Sequence, residues 1–516
     1  MTATPTTPAC GTVSVGCLAL ALACVGCGDH AIDPRPALHD DTYEAIGGAT
    51  VVIDAARGVL ANDEVDGRAF VGVTAETSAG GQIILWGDGT VVYTPARGFT
   101  GTDSFVYRVG DDHATARFTV ARRAVFVDNR RRAGDGSQAR PFEDLALGLA
   151  AAKTTGADLV FVYAGYGLYT PLEDTFDNTF RLDTARLSLI GEAAGLATAE
   201  GTIVAPGGIP ILGVPLVVAA DGATITGVDG SAGIRAGGVS GLTIRGNRFG
   251  ATDLVDVVSI DAGVEIDGVT DAIVIADNTF GGSSGDAVHI IQTTDTAQYT
   301  ISGNTFSAFL TAGSVVSGEF DDTSRATLAV VDNVSTGWRD QLALNLSGTA
   351  NLGLTVAGND FADASNDGIR IEASGESTVD ATLVDNAVTS IAGFPVSINH
   401  TDGSVGTLVM RGNTISGGLS TTVRTSSTGL VRIGLHDNGF WKGAVPWNVA
   451  IAATEQSILC VDLTGNSLAS LVLVRSEAVW FEIEQWIDLA TLNNFTAITT
   501  QGDQPFEVAD GACGVR

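Results

Sequence analysis

An asparagine recurs along the chain at a nearly constant interval. At nine positions it follows a Gly or an Asp and is often followed by Thr-Phe or a similar pair. Successive positions are 31, 26, 29, 26, 27, 27, 25 and 28 residues apart. A period of this length that tolerates small insertions is typical of a solenoid, in which each repeat is one coil. The nine residues are Asn247, Asn278, Asn304, Asn333, Asn359, Asn386, Asn413, Asn438 and Asn466.

The residues between these asparagines predict short strands. An alternating run such as Leu242-Thr243-Ile244 precedes the Asn, and a second run such as Val264-Glu265-Ile266 lies midway between two of them. We therefore expect coils paired as parallel strands about 4.8 Å apart, with alternate apolar side chains inside. An inward Asn amide at a corner can bond both its own turn and the Asn of the next coil. The nine asparagines are thus predicted to form a structural ladder and not a catalytic set.

The composition agrees with many short strands and restricts the partners. The 516 residues include 65 Gly, with 45% hydrophobic and 17% charged residues, which is too apolar for a disordered chain and too rich in Gly for a helical one. The formal net charge of −32 repels nucleic acid, so we expect no nucleic-acid partner. An ordinary solvated surface explains the same charge equally well.

The first 27 residues are predicted to be an export signal. The apolar run from Val13 to Val25 is too short to span a bilayer and suits a signal peptide. A small residue before Cys and a polar stretch after it resemble a bacterial lipoprotein signal. We expect lipidation at Cys27, because the polar, Pro-containing linker 28–39 follows it, with Cys24 as the alternative. The predicted location is the outer membrane or cell surface, with secretion without an anchor as the other possibility.

Residues 40–122 are predicted to form a small all-β module. Gly87-Asp88-Gly89-Thr90 lies between two strand runs and indicates a hairpin. The segments Gly58 to Asp63 (GVLAND), Tyr93-Thr94-Pro95 and Gly98 to Phe105 (GFTGTDSF) resemble the bacterial Ig-like, cadherin-like modules of surface proteins. The resemblance implies a β-sandwich that serves as a spacer or adhesive unit.

The same resemblance makes calcium a candidate ligand of this module. Asn62, Asp63 and Asp66 would present oxygen atoms, which calcium prefers, from one loop. The alternative is that these residues only form the turn, since Asn and Asp tolerate left-handed backbone conformations.

The repeats resemble the pectate-lyase-like right-handed parallel β-helix superfamily, and we assign residues 123–469 to this domain. The segment after the strand Val125-Phe126-Val127-Asp128 resembles the N-terminal capping helix of that superfamily, with Pro141 at its first position and Lys153 at its end. Residues 470–516, where the Asn period is lost, are predicted to be a last coil and a cap. The expected fold class is all-β: a small β-sandwich, then a right-handed parallel β-helix with a capping helix.

Two cysteines remain after the signal, Cys460 and Cys513. A disulfide between them would close a loop of about 50 residues and stabilise the C-terminal end by about 4 kcal/mol. An oxidising compartment would permit that bond. Two free buried thiols are the alternative.

The superfamily resemblance implies that polysaccharide lyases, hydrolases and epimerases must be considered. The best candidate cluster is Asp367, Arg370 and Glu372, which we expect to face outward because Ile369 and Ile371 face inward. A second cluster, and two histidines at outward or edge positions, are weaker candidates. These residues are Glu319, Asp321, Asp322, Arg325, Arg339, Asp340, His289 and His400.

None of these clusters reproduces the motif sets that active members of the superfamily carry, and 59 acidic residues make chance clusters common. We therefore expect a monomeric, non-enzymatic surface protein that binds polysaccharide, matrix or another cell. A carbohydrate-active enzyme, a lyase or hydrolase acting on an acidic polysaccharide, is the alternative.

Overall fold

A computed structural model describes residues 38–65, 70, 73–171, 178–250, 262–281, 285–293, 296–308, 313–441, 448–476 and 480–515. Within these residues a small β-sandwich is followed by a long parallel β-helix. The all-β fold class predicted from the repeats is therefore confirmed. Cys24, Cys27 and Asp66 lie outside the described residues.

The sandwich has two sheets around an aromatic core. One sheet is antiparallel, and in the other Asp41–Gly47 runs parallel to its neighbour. Tyr93 and Phe118 stack between the sheets with ring centroids 4.0 Å apart. The first sheet contains Val51–Ile53, Val91–Thr94, Gln82–Leu85 and Val73–Glu76; the second contains Asp41–Gly47, Asp112–Val127 and Gly101–Val109.

One strand belongs to both domains. The 16 residues of Asp112–Val127 pair with the sandwich through their first part, and Ala124 to Val127 pair with Leu159–Val162 of the β-helix. The boundary predicted between residues 122 and 123 therefore falls inside a continuous strand. Because Val125 and Val127 pack into the β-helix core, the strand ties the sandwich directly to the first coil.

The β-helix is wound from three parallel sheets. Sheet I holds the strands that precede the Asn corner, sheet II the short strands after it, and sheet III the strands midway. Ser467–Arg475 and Asn494–Gly502 run through both sheet II and sheet III. Sheet I comprises Asp112–Val127, Leu159–Val162, Ser188–Gly191, Thr224–Thr226, Thr243–Arg245, Asp271–Ala276, Thr296–Ser302, Arg325–Val331, Asn351–Ala357, Thr378–Val384, Val405–Arg411, Leu430–His436, Ile458–Thr464, Trp480–Glu484 and Phe506–Val508.

The other two sheets have shorter or equal strands. Sheet II comprises Leu168–Tyr169, Ile211–Leu212, Arg248–Phe249, Thr279–Phe280, Thr305–Ser307, Val334–Thr336, Asp360–Ala362, Ala387–Ile391, Thr414–Gly417 and Gly439–Trp441. Sheet III comprises Phe180–Leu182, Leu216–Val218, Ile234–Gly237, Ala262–Asp267, Asp286–Gln292, Ser314–Phe320, Asp340–Leu346, Ile369–Ala373, Val396–His400, Thr421–Thr425 and Val449–Ala453. A hairpin of Leu196–Ala197 and Thr202–Val204 projects from an early coil, after the 3₁₀ turn Glu192–Ala194.

The asparagines lie buried in one row at the corner between sheets I and II. Asn333 is representative: its Nδ2 donates to the carbonyl of Ile301 on the preceding coil, at 2.8 Å, and to Oδ1 of Asn359, at 3.0 Å. Its main-chain N–H also donates to Oδ1 of Asn359, at 2.9 Å. Each amide thus satisfies buried polar groups on two neighbouring coils.

The row has a tenth member. Asn466 Nδ2 donates to Oδ1 of Asn493 at 2.9 Å, and Asn493 Nδ2 donates to the carbonyl of Leu463 at 2.6 Å. The expectation that the Asn period ends after Asn466 was therefore wrong. Asn493 follows the short helix Leu489–Leu492 and has Leu492 where the other nine have Gly or Asp.

The capping helix is Leu145–Thr155, which starts later than predicted. Asp144 is its N-cap and accepts a hydrogen bond from the N–H of Ala146 at 2.7 Å. Pro141 lies before the helix, because the next residue, Phe142, is held in extended form by main-chain bonds to Phe126 and Asp128. The predicted N-terminal cap is present, since Leu145, Leu149 and Ala152 pack into the β-helix core.

The last coils end in the 3₁₀ turn Trp486–Asp488, the helix Leu489–Leu492 and a terminal segment that crosses sheet I. A disulfide joins Cys460 of sheet I to Cys513, with their Cα atoms 5.5 Å apart. His436 Nε2 lies 2.9 Å from the carbonyl oxygen of Val515, and the N–H of Cys513 donates to Glu484 at 2.6 Å. The terminal segment is thus fastened over the outer side of the last sheet I strands.

Candidate functional site

The middle outward rows of sheets I and III differ in chemistry. Successive coils of sheet I align small side chains, for example Val274, Thr300, Ala329, Thr355 and Thr382. Sheet III instead aligns charged and hydrogen-bonding groups on four successive coils, from Arg235 to Ser317, and Arg370 continues this row after Ala343. We call the residues Arg235, Glu265, His289, Ser317, Arg370 and Glu372 the polar face.

Asp367, the first predicted catalytic residue, does not face outward. It is 7% exposed and lies at the corner before Ile369–Ala373. Its Oδ1 accepts the N–H of Phe394 at 2.9 Å, and its own N–H donates to Asp340 at 3.0 Å. Burial, with a contribution from the nearby Asp340 charge, raises the pKa of Asp367. This carboxylate therefore fastens one coil to the next.

Arg370 and Glu372 do lie on the outer side of sheet III, as the burial of Ile369 and Ile371 requires. Arg370 Nη1 lies 3.5 Å from Asn345 Oδ1 on the preceding coil. Glu372 accepts hydrogen bonds of 2.9 and 3.1 Å from the amide of Asn399 on the next coil. The three predicted residues are thus close in sequence but do not converge on one point.

The second predicted cluster is divided between two corners of the coil. Asp340 is fully buried and pairs with Arg339 Nε at 3.2 Å where sheet III begins. Asp321 accepts the Ser347 hydroxyl at 2.6 Å where sheet III ends, and neighbouring Glu319, Asp322 and Arg325 are exposed.

His400 is buried and does not point outward or lie at an exposed edge. Its Nδ1 lies 3.2 Å from the Ser404 hydroxyl, and burial lowers the pKa of this imidazole to about 4. Its place in the strand Val396–His400 puts it at an inward position.

A constellation that the sequence analysis did not identify lies earlier on the polar face. Ser317 Oγ is 2.5 Å from Asp286 Oδ2 and 2.6 Å from His289 Nδ1. Asp286 Oδ1 also accepts the N–H of Ser314 at 2.6 Å. Asp286 and Ser317 are separated by 31 residues, so only the register of two adjacent coils brings them together.

In the sandwich, Asp63 is occupied by bonds within the protein. Its carboxylate accepts the N–H of His39 and the hydroxyl of Tyr107, each at 2.8 Å. Burial and the Asp63 charge raise the pKa of the neighbouring Asp41 to about 6. Among the described residues, no group of three His, Cys, Asp or Glu side chains is arranged to hold a metal. The calcium assignment to Asn62, Asp63 and Asp66 remains a prediction, and Asp66 lies outside the described residues.

Comparison with known proteins identifies the N-terminal domain. Residues 33–121 match the family model of the bacterial Ig domain, which confirms the predicted Ig-like module. A search of curated proteins found no match. In the part of the chain that the structure describes, no helix has both the length and the apolar character needed to cross a membrane.

Three solved protein chains match in a structural search. One is a mutant of the periplasmic alginate epimerase AlgG, with 9% sequence identity and a TM-score of 0.23, and the match covers 68% of this chain and 78% of that chain. A likeness at this TM-score carries no inference about activity.

Proposed function

We propose that this chain is an exported surface protein that binds polysaccharide through the polar face of its β-helix, while the Ig domain acts as a spacer. The observation that carries the proposal is the row Arg235, Glu265, His289, Ser317 and Arg370. These residues place hydrogen-bond donors and acceptors along the outer side of sheet III, and the row includes both positive and negative side chains.

The spacing of the row supports an extended, hydroxyl-rich ligand. Residues on neighbouring coils are about 4.8 Å apart, a distance comparable to the length of one sugar ring. A glycan laid along the β-helix axis would meet a new polar side chain on nearly every coil. Extracellular matrix polysaccharide and the glycan coat of another cell share this chemistry.

The hydrogen bonds that the predicted catalytic residues make within the protein favour binding without turnover. Asp367 is bonded to main-chain groups, and Glu372 is paired with the Asn399 amide. Both carboxylates are thus engaged in hydrogen bonds within the protein, whereas glycoside hydrolysis needs a pair of carboxyl groups that flank the scissile bond.

Export is supported by the Cys460–Cys513 disulfide, since such bonds persist in oxidising compartments. We further propose that a lipid on Cys27, or alternatively on Cys24, anchors the protein to the outer membrane or cell surface and that it acts as a monomer. Labelling of cells with a radioactive fatty acid would test the anchor: Cys27→Ser removes the label if Cys27 carries it, and Cys24→Ser leaves the label in place.

The binding proposal is tested with purified protein and a panel of alginate, polygalacturonate, xylan and dextran, with and without calcium. We expect at least one glycan to bind without new unsaturated or reducing ends. Arg370→Ala should weaken that binding, whereas Arg411→Ala, at an exposed position on sheet I, should not. Product formation would establish the carbohydrate-active enzyme instead, and an equal effect of the two substitutions would exclude sheet III as the binding surface.

A further inference from the structure

Asp286, Ser317 and His289 form a chain of hydrogen bonds across two adjacent coils of the polar face. Ser317 Oγ occupies the middle, 2.5 Å from Asp286 Oδ2 and 2.6 Å from His289 Nδ1, while His289 Nδ1 and Asp286 Oδ2 are 3.6 Å apart. Asp286 is fixed from its other side by the N–H of Ser314. The serine hydroxyl therefore links the carboxylate to the imidazole, and we call this chain of hydrogen bonds the relay.

The available protons determine the direction of this relay. An ionised carboxylate only accepts, so the single Ser317 hydroxyl proton must point at Asp286. Ser317 Oγ can then only accept from the imidazole, which requires a proton on Nδ1. In neutral His289 the lone pair is consequently on Nε2. The same count excludes His289 as the base that would activate Ser317, because the hydroxyl proton is directed at Asp286 and not at the imidazole.

Nε2 is available to a ligand. The His289 side chain is 24% exposed, and Nε2 has no hydrogen-bond partner among the described residues. A neutral imidazole held in one tautomer is a directional acceptor, and fixing the tautomer in advance reduces the entropy lost on binding. This arrangement suits an O–H donor on the ligand.

The residues next to His289 define which ligand fits. Glu265 precedes His289 on the preceding coil, and Arg235 lies one coil further, with Arg235 Nε 3.7 Å from Glu265 Oε2. On the other side, Ala343 lies beside Ser317 on the following coil, and this residue is 4% exposed. The carboxylates of Glu265 and Asp286 outnumber the single guanidinium of Arg235 here and repel a ligand carboxylate, so an uncharged sugar unit is favoured.

We propose that His289, with Glu265 and Arg235, forms the principal subsite of the polar face, where His289 Nε2 accepts a hydroxyl group of a neutral sugar unit. Asp286 and Ser317 are positioning residues that select the imidazole tautomer. This proposal rests on the polysaccharide binding proposed above, and it adds the position of the subsite and the class of sugar.

The test uses the full chain and a soluble neutral glycan, xylan or dextran. We expect His289→Leu to weaken binding about tenfold and Ser317→Ala about threefold, as the loss of one hydrogen bond and of its pre-organisation implies. Ser302→Ala is the matched control, since Ser302 ends the strand Thr296–Ser302 on sheet I. His289→Gln, which keeps an acceptor, should retain more binding than His289→Leu.

A second measurement reports on positioning alone. Nitrogen-15 NMR of histidine-labelled protein should show His289 protonated on Nδ1, and Ser317→Ala should give a mixture of tautomers. An Nε2–H tautomer in the unsubstituted protein would overturn the relay. Neutral-glycan binding that survives His289→Leu but is lost in Arg370→Ala would overturn the subsite and leave the proposed function intact. Failure of every glycan to bind the unsubstituted protein would overturn both.

Discussion

At the residue scale, Gly and Asp alternate strictly at the position before the first nine ladder asparagines. All nine of these residues have a left-handed backbone, with φ between 53° and 70°. A Cβ added to Gly303 would lie 2.7 Å from Oδ1 of Asp277, and those on Gly358, Gly412 and Gly465 would be closer still to the preceding Asp. The Asp side chain of one coil thus covers the Gly of the next, which separates successive carboxylates by two coils. The nine are Gly246, Asp277, Gly303, Asp332, Gly358, Asp385, Gly412, Asp437 and Gly465.

We predict that Gly303→Ala lowers the free energy of unfolding by about 2–3 kcal/mol, because backbone strain and the Asp277 contact both oppose the methyl group. Gly238→Ala is the control, since Gly238 has φ +62° and nothing lies within 4 Å of an added Cβ. It should cost about 1 kcal/mol, the backbone strain alone. Urea denaturation would measure both, and the excess cost should disappear when Gly303→Ala is combined with Asp277→Ala. Equal costs for the two single substitutions would contradict the covering role of Asp277.

The buried His400 should make the protein less stable in acid. Burial holds its folded-state pKa at about 4, below the ordinary value of about 6.5. The unfolded chain therefore binds a proton more readily than the folded one, and stability falls as the pH drops from about 6.5 to about 4, by up to about 3 kcal/mol. Denaturation at pH 7.5 and pH 4.5 should show this loss, and His400→Gln should reduce it. An unchanged pH dependence in that variant would assign the loss to other groups.

At the scale of structural elements, the Asn row acts as one hydrogen-bonded unit. Asn359 donates to the carbonyl of Val330 and to Asn386 Oδ1, and it accepts from the N–H and Nδ2 of Asn333. Asn493 ends the row: it accepts from Asn466, but its own amide donates to the carbonyls of Leu463 and Leu489 and to no ladder residue. The middle of the row is therefore bonded on two sides and its end on one.

We predict that Asn359→Ala lowers the free energy of unfolding by about 3–5 kcal/mol, because it leaves buried donors and acceptors on two coils unsatisfied. Asn493→Ala should cost less, because the Asn493 amide makes no hydrogen bond to a further ladder residue. Chemical denaturation with hydrogen exchange at the flanking coils would compare them. If both substitutions cost the same, the amides act separately and the row is not a cooperative element.

At the scale of the whole molecule, the two ends are fastened in different ways. The strand Asp112–Val127 joins the Ig domain to the first coil, and Ile46 and Ala49 of the sandwich pack with Phe126 and Phe161. At the other end, the Cys460–Cys513 disulfide holds the terminal segment against sheet I. The first attachment depends on main-chain pairing and the second on a covalent bond.

Replacing both cysteines by serine should therefore destabilise the C-terminal coils selectively. The bond spans 53 residues, which corresponds to about 4 kcal/mol in the chain-entropy model. Hydrogen exchange should accelerate in Phe506–Val508 and Asn494–Gly502, whereas Asp41–Gly47 should be unaffected. Faster exchange along the entire β-helix would contradict local fastening.

The coil and its ladder follow from the sequence, because every repeat carries the alternating strand residues and the corner Asn that this structure requires. Asn359 and its eight counterparts were predictable on that ground, and Asn493 was missed because Leu492 replaces the usual Gly or Asp. The tertiary structure alone decided which side chains meet between coils. Asp367 and Asp340 form hydrogen bonds at the corners of the coil, and His400 is buried. His289 contacts Ser317, which is 28 residues away in the sequence. The register between neighbouring coils depends on insertions of varying length in the repeats, and no local sequence pattern predicts their combined effect.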